Sequence, residues 1–88
     1  ARAPDEPRYA YVFGVALNSL GRADEAIGVL REAHTRFPND YDIGWALATI
    51  YRDQRRYRAA HELLDAMHTR FPNRDEIIAL QRSLPAPD

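Results

Sequence analysis

Eighty-eight residues make one small domain, close to the size at which a single core is only just sufficient, so its stability must rest on close stacking. A chain with 45% hydrophobic and 28% charged residues is not disordered, and a net charge of −1 provides no global attraction for nucleic acid or anionic lipid. The lack of cysteine removes disulfides, thiolate metal sites and cysteine nucleophiles. No run approaches a membrane span and no charged-then-apolar leader opens the chain, so it reads as soluble, with neither membrane nor nucleic acid among its expected partners. It begins without Met, in Ala1-Arg2-Ala3-Pro4-Asp5-Glu6-Pro7, as expected of an excised or processed piece, which leaves the compartment open.

Residues 1–6 read as an extended lead ended by Pro7, whose fixed φ and missing N–H suit the first turn of a helix, with Asp5 and Glu6 placed as acidic caps. The first predicted helix runs to about Leu20, turning Ala10, Phe13, Gly14 and Leu17 inward, and Gly21 ends it. A second starts near Ala23, with Asp24 and Glu25 in its first turn. It points Ala26, Leu30, Ala33 and Phe37 inward and stops before Pro38, because the residue preceding proline avoids helical geometry. Asn39 and Asp40 are cap candidates for a third, from about Tyr41 to Gln54, whose inward face is Gly44, Leu47, Ala48 and Tyr51. A fourth, from about Tyr57 to Phe71-Pro72, buries Ala60, Leu64 and Met67. The last spans about Asp75 to Leu84, before Pro85 and Pro87. Such short links fit antiparallel helix hairpins.

His34-Thr35-Arg36-Phe37-Pro38-Asn39 recurs thirty-four residues later as His68-Thr69-Arg70-Phe71-Pro72-Asn73. A fixed period of this length means that one supersecondary unit has been copied and stacked. Residues 7–40 place Phe13, Gly14, Leu17, Ala26, Leu30, Ala33 and Pro38, and residues 41–74 place Leu47, Ala48, Tyr51, Ala60, Leu64, Met67 and Pro72, in a pattern that resembles the tetratricopeptide repeat. The resemblance implies an all-α fold of antiparallel helix-hairpin repeats, a short right-handed α-solenoid of about five helices. Residues 7–40 and 41–74 are then its two repeats, 75–84 a capping helix and 85–88 a tail. It departs from the pattern in the tryptophan slot, held by Ala10 and Gly44 with Trp45 one residue further on. It departs again where Arg55 replaces Gly21: a left-handed Arg costs about 1 kcal/mol, so the second turn is expected to be shaped differently.

The resemblance also implies capture of a peptide or partner protein in the concave surface made by the first helix of each pair. Here that surface carries Tyr11, Val15 and Asn18, with Trp45, Thr49 and Arg52 one repeat on, and Arg8 and Asp42 at its start. A Tyr and the single Trp at matching positions of adjacent repeats make an aromatic anchor. The alternative for Trp45 is plain packing against the capping helix near Ile78. A carboxylate clamp of the Lys and Asn kind is not expected, since the chain has no Lys and Val15 stands where the clamp wants Asn.

Arg52, Arg55, Arg56 and Arg58 crowd one turn, where they bind an acidic partner or simply suit a helix C-terminus. His61, Asp65 and His68 share a helix face at a spacing that can hold a metal weakly, but on what should be the solvated convex side. No metal or cofactor site is assigned. Nothing resembles a nucleophile with its base, a phosphate loop or paired catalytic carboxylates, so the chain reads as a binding module rather than an enzyme. Two and a half repeats leave an apolar edge on the first helix, at Tyr9, Val12, Ala16 and Leu20. That edge motivates the alternative function, self-association or spacing within a larger protein.

Overall fold

A computed structural model describes residues 6–87. Most of the acidic lead, Asp5 included, and Asp88 lie outside the described residues. Five helices follow one another: α1 (Pro7–Ser19), α2 (Ala23–Arg36), α3 (Tyr41–Asp53), α4 (Tyr57–Arg70) and α5 (Asp75–Ser83). Each ends within about a residue of the position its proline, glycine or cap dictates.

The helix starts are built differently. Glu6 makes no side-chain cap bond, so α1 relies on Pro7 at its first position, whereas the Asp40 carboxylate of α3 accepts from the Ile43 backbone N–H at 3.1 Å. Asn39, the other cap candidate, accepts from Arg70 Nη1 at 2.7 Å instead and ties the end of α4 to the link before α3.

The helix ends of α1 and α3 are the same, which corrects the expectation for the second turn. After α1, the N–H groups of Gly21 and Arg22 donate to the carbonyls of Asn18 and Leu17, both at 3.0 Å. After α3, Arg55 and Arg56 donate to Arg52 and Tyr51 at 3.0 and 2.8 Å, the same pair of bonds that closes a Schellman motif. Gly21 has φ +79° and Arg55 φ +61°, so Arg55 adopts the left-handed geometry despite its Cβ. This turn satisfies the otherwise orphan carbonyls of Tyr51 and Arg52, and those hydrogen bonds offset the local strain.

The helices pack in consecutive order, and α1 also touches α3, giving the stacked hairpins of a helical repeat solenoid. Leu30, Ile43, Leu64, Met67 and Ile77 are the large fully buried side chains. Small residues let paired helices approach: Ala26, Ala48 and Ala60 are fully buried, and a Cβ placed on Gly14 would lie 2.5 Å from Leu30 Cγ.

Two expected inward residues are not core. Phe13 is 48% exposed, and Phe37 is half-buried beneath the Arg36 guanidinium, 5.4 Å from its ring centre. Phe13 lies on the outer flank of α1, where no described helix stands in front of it. Conversely Ile27, Ile43, Ala46 and Ile50 are buried although the one-face pattern did not select them. The helices that carry them, α2 and α3, have neighbours on two sides and so need a wider apolar face.

Candidate partner-binding groove

Because α1 and α3 lie side by side, residues at i, i+4 and i+7 on α1 and at i, i+3 and i+7 on α3 form adjoining stripes. Tyr11, Val15 and Asn18 from α1 and Asp42, Trp45 and Thr49 from α3 line one hollow of about 200 Å³, floored by Ala46 and Ile50. Six of the eight groove residues expected from the sequence thus converge. Arg8 is exposed outside these walls, and Arg52, also outside them, pairs with Asp53 at 3.0 Å.

Trp45 is held by a stack that pattern reading missed. Its ring lies 5.9 Å from that of Tyr41 at an interplanar angle of 15°, and Tyr41 meets Phe71 edge-on at 5.3 Å. The Arg74 guanidinium sits 4.0 Å above the Tyr41 ring, and the Tyr41 hydroxyl donates to Glu76 Oε2 at 2.6 Å. Tyr41 therefore joins the end of α4 and the start of α5 to the groove. Burial, and then the Glu76 carboxylate it donates to, push the Tyr41 phenol well up, while that hydrogen bond holds Glu76 below the usual carboxylate range. The signal that could have found Tyr41 is an aromatic one helical turn before Trp45. So Trp45 both packs on its own helix and walls the hollow.

The other candidate clusters are taken apart by specific contacts. Arg56 reaches back to Asp24 in the first turn of α2 at 2.8 Å, and Arg52 is engaged by Asp53, so the Arg-rich turn is stitched into the repeat. The face of α4 bearing His61 and Asp65 stays partly solvated, with Asp65 exposed and His61 half-buried, but both side chains are engaged. His61 Nε2 lies 2.9 Å from the Pro85 carbonyl, and Asp65 accepts from Gln81 Nε2 at 2.6 Å, so both hold α5 and the tail in place. Among the described residues no group of three His, Cys, Asp or Glu side chains is gathered as metal ligands. His34 and His68 each bury an unpartnered Nδ1, and burial followed by the charge of Arg70 pushes the His34 imidazole down.

On the outer flank of α1, Tyr9, Val12, Phe13, Ala16 and Leu20 are exposed. Tyr9 and Phe13 line an apolar hollow of about 220 Å³ with Val29 and Ala33, rimmed by Glu32 and Arg36.

The family model described as tetratricopeptide repeat matches residues 17–84. The chain belongs to the tetratricopeptide repeat family. No curated protein and no solved structure matches it. Members of this family are generally protein–protein interaction modules and typically non-enzymatic scaffolds. The tetratricopeptide match starts inside α1 and runs through α5, so it includes the Trp45 wall of the groove and leaves Tyr11 and Val15 outside. Among the described residues no helix is long and apolar enough to cross a membrane.

Proposed function

We propose that this tetratricopeptide module binds a segment of another protein in the hollow between α1 and α3, and does so without catalysis. The observation that carries the reading is the meeting of Tyr11, Asn18, Asp42, Trp45 and Thr49, from two helices, around one side-chain-sized recess. An aromatic anchor beside polar groups is the usual composition of a binding hot spot. Peptides selected from a random displayed library against the wild-type chain test it. Trp45→Ala weakens their binding at least several-fold while the helical circular dichroism stays intact. Equal binding by Trp45→Ala removes the groove reading, and collapse of helicity assigns Trp45 to the core.

The α1 flank supports a second reading, self-association. All the exposed large hydrophobics among the described residues lie on α1, at Tyr9, Val12 and Phe13, or on its C-cap residue, Leu20. If two copies cover this flank, light scattering finds a dimer that Val12→Asp shifts toward monomer. A monomer at every concentration removes the reading.

A further inference from the structure

Resting on the groove reading, we infer that the hollow between Tyr11 and Trp45 receives a cationic side chain of the partner segment, an arginine guanidinium best of all. The charge on its walls has one sign. Asp42 is the only formally charged residue lining the hollow, its carboxylate is exposed, and it forms no ion pair with any described residue. The nearby cations on α3 and before α5 are already engaged: Arg52 by Asp53, and Arg74 by Glu76 at 3.5 Å and by the Tyr41 ring.

The polar walls favour a donor. Thr49 Oγ1 commits its proton to the Ala46 carbonyl at 2.9 Å, which leaves the hydroxyl oxygen only lone pairs to offer. The Asn18 side-chain amide makes no hydrogen bond to a described residue, so its oxygen is open to a donor, while its NH2 group leaves it without a preference of its own. A guanidinium carries five donors and no acceptor, matching a carboxylate, a hydroxyl oxygen and an amide oxygen together.

The apolar walls favour a flat cation. Tyr11 takes part in no ring contact, so the space between it and Trp45 is open rather than filled by stacking. The two aromatic side chains that line this gap attract a planar cation, and Tyr41, stacked on Trp45, fixes one of them in place. At about 200 Å³ the recess suits one side chain, below the range of drug-sized ligand sites. Arg8, at the position equivalent to Asp42 one repeat earlier, is the one cation of the stripe without an ion pair to a described residue, and it sets a repulsive limit on affinity.

The experiment titrates the fluorescence of Trp45, the single tryptophan, with three blocked pentapeptides of glycine whose central residue is Arg, its neutral isostere citrulline, or Glu. The Arg peptide changes the emission saturably, and the citrulline and Glu peptides bind at least about fivefold more weakly. Asp42→Asn removes that preference with helicity unchanged, and Arg8→Gln strengthens Arg-peptide binding about twofold or more. Equal binding of the Arg and citrulline peptides, or preference for Glu, overturns the cation assignment. If library-selected peptides still depend on Trp45, the groove reading survives that loss. No response to the Arg peptide at any soluble concentration also overturns the assignment.

Discussion

The first and second repeats use the same apolar positions to opposite ends. Tyr9, Val12 and Phe13 are 54%, 54% and 48% exposed, whereas Ile43, Ala46 and Leu47, thirty-four residues later, are 0%, 9% and 3% exposed. The helix pattern is nearly identical, and the difference lies in what stands in front. A hairpin precedes α3 and packs on it, while no described helix precedes α1. An apolar stripe in a repeat protein is therefore core or surface by position in the array, not by its own composition.

The largest effect that follows is at the pair Leu47 and Phe13. Leu47→Ala removes a buried side chain between repeats and costs about 2–5 kcal/mol, whereas Phe13→Ala costs less than about 1 kcal/mol. Urea denaturation of the two variants measures the contrast, and equal losses would mean that α1 is covered in solution.

Glycines at the inner helix faces give the next contrast. A Cβ at Gly14 meets Leu30 Cγ at 2.5 Å and Cδ2 at 2.6 Å, inside a fully buried side chain with no room to move. Gly14→Ala destabilises by about 1–3 kcal/mol despite alanine's better helix propensity. A Cβ at Gly44 crowds only the flexible end of Met67, at 3.0 Å from the sulfur, and makes ordinary contact with His34 Cε1 at 3.6 Å. There the strain and the propensity gain offset each other, and Gly44→Ala stays within about 0.5 kcal/mol of wild type.

The two Schellman turns differ by one residue type. Arg55→Gly relieves the left-handed strain and stabilises by about 1 kcal/mol, and Gly21→Ala loses a similar amount, both read as shifts in denaturation midpoint.

The smallest effect is a pH dependence placed in the first repeat. The folded state holds the His34 ring neutral below its free value of 6.5, so the unfolded chain takes up that proton first. Stability is full above about pH 6.5 and declines as pH falls from there through the lowered folded value. Glu76, also held below its ordinary value, adds a second decline at lower pH. Thermal melts between pH 7 and 5 show the first step in wild type and its loss in His34→Gln.

Much of this molecule was legible because punctuation and period agree. Pro7, Gly21, Pro38, Pro72 and Pro85 bracket the helices, and the recurring hexapeptide sets their stacking. The convergence of Tyr11, Val15, Asn18, Asp42, Trp45 and Thr49 on one hollow was legible too from spacing along α1 and α3, although the same spacing also selected Arg8 and Arg52, which lie outside it. What escaped depended on neighbours. Ile27 and Ile43 are core because their helices are sandwiched, and Phe13 is not because no described helix stands in front of α1. His61 and Asp65 are engaged by the tail and α5 through exposed hydrogen bonds, between segments about twenty residues apart. Tyr41 gained its role from Phe71, Arg74 and Glu76, which no local pattern links to it. Arg55 shows the converse: a local penalty was legible, but the hydrogen bonds that offset it belong to the turn as a whole.

The most direct measurement of the central claim is amide chemical-shift mapping of the chain bound to a library-selected peptide. The account predicts that the largest shifts fall on Tyr11, Val15, Asn18, Asp42, Trp45 and Thr49. Shifts concentrated instead on Tyr9, Val12, Phe13 and Leu20 would contradict it, and would place recognition on the outer flank of α1.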